Sequence, residues 1–320
     1  MNTATRDLGF GITCIDTGLN QREGAGACYL IQQGDAAAFV DTGTFHALPG
    51  LLEVLDKLGV TREQVRYVCP THVHTDHGGG AGELMRHLPN ATLIAHPRAA
   101  PHFIDPAKIR AGAVAVYGET RFKELFGELA PVPPERVRVV QDSDALDFNG
   151  RKLWFLDTPG HARHHYCVWD EASRGFFAGD TFGLSYREFD TGKGAWILPT
   201  TTPVQFEPEA WNATLDRLLR YEPQRMYLTH YGMVEEVPRL ASDLSRALAD
   251  YCDLAVRYAD STTRHEKLKQ GLTALALRGL AEHGCTLSEA RCRELLEMDM
   301  ELNAQGLGVW LDRQQSKQRN

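Results

Sequence analysis

Three histidines and one aspartate fall within six positions of the chain, in the run Thr71-His72-Val73-His74-Thr75-Asp76-His77-Gly78-Gly79-Gly80. Imidazole nitrogens and carboxylate oxygens are the usual ligands of zinc and its first-row neighbours, and four of them in one tight loop can converge on one point. The glycines that follow allow close backbone approach and a turn into the next helix. Three further candidate ligands lie downstream: His161, Asp180 and His230. Each ligand-bearing stretch follows an apolar run: Val65–Cys69, Lys152–Leu156, Gly175–Ala178 and Arg225–Leu228. Short apolar runs that empty into Pro or Gly read as buried strands ending in loops. Strand ends along one sheet edge are where layered α/β proteins gather site residues from distant sequence. A lone histidine there is more often a core or surface side chain. Four elements ending alike point to a metal centre.

The elements that must position these residues alternate along the first two thirds of the chain. Strand patterns cover Phe10–Asp16, Cys28–Gln33, Ala36–Val40, Val65–Cys69 and Thr92–Ala95, with a helix over His46–Leu58 that stops at Gly59. Residues 96–134 form a Pro- and Ala-rich excursion with helical patches, placed to cover a site. Strands resume at Arg136–Val140 and Lys152–Leu156, with Phe148-Asn149-Gly150 as a hairpin turn. Tyr166–Trp169 and Gly175–Ala178 make a further pair, Trp196–Leu198 reads as strand or apolar loop, and a helix spans Glu207–Tyr221 before the strand Arg225–Leu228. The last 80 or so residues show only helical spacing, as in Leu240, Leu244, Leu248, Tyr251, Ala255 and Tyr258. Thr286-Leu287-Ser288-Glu289 reads as a capping box opening the final helix, and the polar tail 312–320 is expected to fray.

The motif HVHTDH, the segment Thr158-Pro159-Gly160-His161, the Gly179-Asp180-Thr181 turn and the Leu228-Thr229-His230-Tyr231-Gly232 turn occur in an order that resembles the metallo-β-lactamase superfamily, over roughly residues 8–238. The resemblance implies an α/β fold, an αββα sandwich of two mixed β-sheets flanked by helices, with a two-metal site at one edge. It divides the chain into that domain at 1–238, with the insertion at about 96–134, and an all-helical C-terminal extension at 239–320. It also implies that His72, His74 and His161 bind a first metal, that Asp76, His77 and His230 bind a second, and that Asp180 bridges both. Zinc suits this donor set first, and manganese and iron are compatible with it. Two such cations lower the pKa of a water between them toward neutrality. The resulting bridging hydroxide would attack an acyl carbon, and Asp76, beside it, would shuttle a proton.

Other residues are candidates for supporting or substrate-binding roles. Asp41, in the turn Phe39-Val40-Asp41-Thr42-Gly43, either orients a ligand imidazole or caps its own turn. His164 and His165, just past His161, either border the site or lie on the surface. Tyr186 and Tyr231 either donate to an oxyanion or simply pack. Arg163 and Arg187 are the nearest basic residues, enough for one substrate carboxylate, and Phe182, Tyr186, Phe189 and Trp196 either line a small apolar pocket or are plain core.

Composition narrows the function. The chain has 320 residues, 43% hydrophobic, with a formal charge of −8. Residues 1–240 contain 23 Lys and Arg against 30 Asp and Glu, so the acidity sits with the site. An acidic domain without a basic cluster is poorly suited to nucleic acid. The seven cysteines show no CxxC and read as buried thiols. With no apolar leader and no run of membrane-spanning length, the expected compartment is the cytoplasm, with no membrane partner. The leading expectation is a metal-dependent hydrolase of a small ester, thioester or lactone; a homo-oligomer is compatible with it. The run Thr181–Phe189 lacks the Cys/Gly-rich basic segment by which the glyoxalase II branch grips glutathione, and the Met298–Leu307 stretch looks like a bacterial branch described only as metallo-hydrolases. The alternatives are a mononuclear iron dioxygenase of the persulfide dioxygenase type, then a phosphodiesterase or nuclease, and last a non-catalytic metal-binding module.

Overall fold

The computed structural model describes residues 3–201 and 204–319. The chain divides into two compact units. One takes in the chain up to Thr158, with His164–Gly179 and Pro223–Glu235; the other takes in Pro159–Arg163, Asp180–Glu222 and the chain from Glu236 on.

In chain order the first unit contains β1 (Thr5–Asp7), β2 (Ile12–Asp16), β3 (Ala27–Gln33), β4 (Ala36–Val40), α1 (Leu48–Lys57), β5 (Val65–Cys69), α2 (Ala81–His87), β6 (Thr92–Ala95), α3 (Ala100–Ile104), α4 (Ala107–Tyr117), α5 (Glu119–Phe126), β7 (Val137–Val139), β8 (Asp144–Phe148), β9 (Arg151–Asp157), β10 (Tyr166–Asp170), β11 (Gly175–Gly179), β12 (Arg225–Leu228) and β13 (Gly232–Val234). Among the described residues these strands make two sheets, one ordered β1 to β7 and the other β13-β12-β11-β10-β9-β8. Both are mixed. The first is antiparallel from β1 to β4 and parallel from β4 to β7. The second has one parallel pair, β11 with β12.

Side-chain alternation decides what each face buries. Along β4, Ala37 and Phe39 point into a core shared with Leu51, Val54 and Leu55 of α1 and Leu84 and Met85 of α2. Ala36, Ala38 and Val40 point the other way, into a core shared with Leu153 and Phe155 of β9 and Tyr166 and Val168 of β10. A strand covered on both faces reads as a continuous apolar run, which is why AAAFV shows no period-2 signal. Each fully buried Val, Leu or Phe side chain contributes about 1.5–3 kcal/mol. Two buried phenols also tie one sheet to the other: Tyr29 donates to Leu228 O (2.5 Å) and Tyr166 to Ile94 O (2.8 Å). Burial pushes both phenols well above their usual range, so they remain donors.

The second unit holds α6 (Pro208–Leu219), α7 (Val237–Arg257), α8 (Arg264–His283) and α9 (Glu289–Arg319). Leu240, Leu244 and Leu248 of α7, Leu268 and Leu272 of α8 and Met300, Ala304 and Leu307 of α9 are all buried, at helical spacing.

Several local readings change. β1 and β13 carry no apolar pattern long enough to betray a strand, and pairing alone makes them: Thr5 opposite Ile15, Leu228 opposite Gly232. Asn149 and Gly150 (φ 52° and 80°) form the two-residue turn between β8 and β9. Residues 196–198 are loop, with an isolated bridge from Leu198 to Leu184. The last helix is capped two residues later than the sequence suggests, by Ser288 Oγ, which accepts from Arg291 N (3.2 Å). The expected fraying of the tail is corrected as well. α9 continues to Arg319, because Trp310 and Leu311 are buried and Arg313 donates to Val204 O (2.6 Å) and Glu207 Oε1 (3.0 Å); Asn320 lies outside the described residues. The excursion at 96–134 is helical, and its Phe103 is part of the core around α1 and α2. No helix among the described residues is long and apolar enough to cross a membrane.

Candidate metal centre

Pro70 ends β5, and the next ten residues form a loop before α2. The loop is tightly wound: His77 N and Gly78 N both donate to His74 O (3.1 and 2.9 Å). It is also zipped to the turn after β4, through Thr42 N to His77 O (2.7 Å) and Gly80 N to Gly43 O (2.9 Å). Gly79 has no substitute here, since a Cβ would lie 2.1 Å from Thr75 O.

Asp41 is the hub of this arrangement. Its backbone is left-handed (φ 58°), a conformation that Asp tolerates better than most residues. Its carboxylate accepts from Thr71 N (2.7 Å), Thr71 Oγ1 (2.9 Å), His77 Nδ1 (3.0 Å) and Thr229 Oγ1 (2.7 Å). It therefore braces the start of the loop, one of its imidazoles, and the residue preceding His230, rather than capping its own turn.

Acceptors in the surrounding chain fix which nitrogen His77, His230 and His161 present. His77 gives Nδ1–H to Asp41, and Nε2 faces Asp76 Oδ2 at 3.7 Å. His230 gives Nδ1–H to Ala25 O (2.9 Å), and its Nε2 faces the same Asp76 oxygen at 3.3 Å. Asp76, His77 and His230 each offer one ligand atom, and these lie within 4.8 Å of one another. His72 Nδ1 lies 3.2 Å from the Thr71 hydroxyl and its Nε2 lies 2.8 Å from His74 Nδ1. In the second unit His161 gives Nδ1–H to Thr200 O (2.7 Å), and its Nε2 faces Asp180 Oδ2 at 3.2 Å. Asp180 directly follows the last residue of β11.

These contacts test whether the donor set suits a metal. A neutral imidazole that donates from Nδ1 carries a lone pair on Nε2, and a carboxylate oxygen is also an acceptor. Two acceptors face to face need a proton or a cation between them. Charge-assisted N–H···O bonds run to about 2.7–2.9 Å, shorter than these contacts. Two ligands on one tetrahedral zinc at the usual bond lengths stand about 3.3 Å apart, close to the separations at His230 and His161. The His/Asp cluster could hold metal ions.

The remaining candidates fall into place around it. The His164 ring stacks on His72 with centroids 5.9 Å apart, and buried His165 lies 4.8 Å from His72 and 2.8 Å from Thr158 Oγ1. Gly179 (φ 48°) leaves room for the His165 ring, since a Cβ there would lie 2.4 Å from His165 Nε2. Burial first, then the neighbouring Cys14 and Asp16, raise the pKa of Tyr231. Tyr186 donates to Asp299 (3.2 Å). The two arginines with anchoring potential are engaged: Arg163 Nε with Glu207 Oε1 (2.9 Å), and Arg187 with Ser185 O (2.7 Å) and Asp190 (3.3 Å). Phe182 and Phe189 are fully buried. Ala25 and Thr200, whose carbonyls accept from His230 and His161, carried no sequence signal, since any residue supplies a backbone carbonyl.

Comparison with known proteins agrees with this architecture. The metallo-β-lactamase superfamily signature matches residues 22–230, and the chain belongs to that superfamily. Its fold is the corresponding one, two mixed sheets flanked by helices, with an all-helical C-terminal region. A metallo-β-lactamase fold-containing protein of Sulfurisphaera tokodaii is 24% identical over 76% of this chain and 85% of its own length. The crystal structure of that archaeal protein superposes with a TM-score of 0.61, covering 85% of this chain and 98% of that one at 21% identity. A metallo-β-lactamase family protein of Thermus thermophilus gives a TM-score of 0.60 at 22% identity, covering 85% and 88%. A hydroxyacylglutathione hydrolase of Photobacterium profundum is 24% identical over 75% of each chain.

Proposed function

We propose that the protein is a metal-dependent hydrolase of a small ester, thioester or lactone. In this reading His72, His74 and His161 hold one divalent ion, Asp76, His77 and His230 hold a second, and Asp180 is shared between them. Zinc is the expected metal. The observation that carries the reading is the convergence of imidazole lone pairs on carboxylate oxygens, at 3.3 Å for His230 with Asp76 and 3.2 Å for His161 with Asp180. When bound, such a pair of ions polarises a carbonyl oxygen and supplies a nucleophilic hydroxide near neutral pH.

The protein's own groups do the rest. Asp76 has a side chain 25% exposed, against 0% for His77. It can therefore take the proton of an attacking water and deliver it to a leaving alkoxide or thiolate. Asp41 keeps His77 in the tautomer whose Nε2 lone pair faces inward, and Ala25 O does the same for His230. Similarity to a hydroxyacylglutathione hydrolase favours an acyl bond. The excess of acidic over basic residues in the first 240, 30 against 23, favours a small substrate over nucleic acid. The test is elemental analysis of purified protein with parallel assays on thioesters, aryl esters, lactones and RNA. About two metal ions per chain and acyl hydrolysis are expected. One iron alone would turn the assignment to the mononuclear dioxygenase class; metal-dependent RNA cleavage with every acyl substrate inert would make it a nuclease.

A further inference from the structure

His161 is held at Nδ1 by Thr200. Its Nδ1 lies 2.7 Å from Thr200 O, with Thr200 Oγ1 at 3.0 Å. That carbonyl belongs to the same planar peptide group as the N–H of Thr201. On the opposite edge of this peptide, Thr201 N donates to Asn303 Oδ1 (2.5 Å), and the Thr201 hydroxyl lies 3.1 Å from the same oxygen. Asn303 Nδ2 donates to Pro199 O (3.1 Å). One carboxamide on α9 thus fixes the peptide groups on both sides of Thr200. The clamp is dry: Asn303 is 1% and Thr201 0% exposed. The buried Tyr251 phenol of α7 neighbours the Asn303 side chain.

We propose that Asn303 is a positioning residue for His161, acting through the Thr200–Thr201 peptide. The inference rests on the assignment of His161 as a metal ligand. Asn303 stands among Met300, Ala304 and Leu307, all buried on the same helix, where a leucine would fill the space without desolvating an amide. The polar side chain is accounted for by the bonds it makes. Its effect on His161 is twofold. Geometrically, it prevents the 200–201 peptide from rotating, which would withdraw the acceptor from Nδ1–H. Electronically, an N–H engaged by an amide oxygen makes the carbonyl of the same peptide a better acceptor, because hydrogen bonds in a chain polarise one another. A stronger acceptor at Nδ1–H raises the basicity of Nε2, the atom that would bind metal.

The experiment measures metal affinity directly, by competition between the full-length protein and a chromophoric chelator for zinc, with cobalt absorption as a second signal. Asn303→Leu should weaken one of the two ions by about tenfold or more and leave the other within about twofold. His161→Ala identifies the ion concerned. On that background Asn303→Leu should add no further loss, since the two changes remove the same interaction. Asn303→Asp keeps an acceptor facing Thr201 N–H but loses the donor to Pro199 O, and should lose less affinity than Asn303→Leu. Should the leucine variant fail to fold, Asn303→Ser takes its place with the same expectation. Unchanged affinity in Asn303→Leu, equal losses in the leucine and aspartate variants, or additive losses with His161→Ala would each overturn the proposal. If His161→Ala itself changes neither metal affinity, it is the ligand assignment of His161 that fails, a different result from the others.

Discussion

His77 and His161 are both buried imidazoles whose Nδ1–H is taken by a protein acceptor, yet the two acceptors are built differently. In the sandwich unit the acceptor is Asp41, a charged side chain that also binds Thr71 and Thr229. In the helical unit it is the neutral carbonyl of Thr200, itself held through one peptide by Asn303. A carboxylate hub concentrates several braces in one group and strengthens each by its charge. A carbonyl relay spreads the same task over residues about a hundred positions apart. The hub should be the costlier to lose, and the relay the more graded.

The largest effect should come where the second unit's own carboxylate is neutralised. Asp180→Asn keeps the shape but removes the charge facing His161 Nε2 at 3.2 Å. Hydrolysis should fall by about a hundredfold or more, with the apo protein still folded by circular dichroism. Retention of both metals and near-normal turnover would remove Asp180 from the site.

Next comes the hub. An amide at position 41 cannot accept from Thr71 N, Thr71 Oγ1, His77 Nδ1 and Thr229 Oγ1 together, as the carboxylate does. Asp41→Asn should weaken metal binding by about 10–100-fold. It should also destabilise the metal-free protein by about 1–3 kcal/mol in urea titrations, since buried donors lose their partner. A metal-affinity loss smaller than that of Asn303→Leu would invert the comparison.

The smallest change tests whether the bracing is local. Tyr29→Phe removes a buried bond to Leu228 O, two residues before His230, without touching Asp41. A loss of about 1 kcal/mol in stability, with metal affinity unchanged, is expected from equilibrium unfolding and metal titration. A parallel drop in metal affinity would mean that the inter-sheet bonds also tune the site.

Much of the candidate site was legible because strands and metal-compatible side chains announce themselves in side-chain type. The runs Val65–Cys69, Thr92–Ala95 and Arg225–Leu228 are strands over those same residues, and the loop after β5 carries the His/Asp motif. Apolar side chains state their burial, and imidazoles and carboxylates state their chemistry. The sequence by itself also placed Asp41 in a turn but left its role open between orienting an imidazole and capping that turn. Only the tertiary structure decided that its carboxylate reaches Thr71, His77 and Thr229. Likewise it alone decided that Ala25 O and Thr200 O select the presented nitrogens of His230 and His161, and that Asn303 holds the second of these in place. The physical reason is that a carbonyl is common to every residue and a buried amide has no period. What they do is set by the partner that folding brings to them.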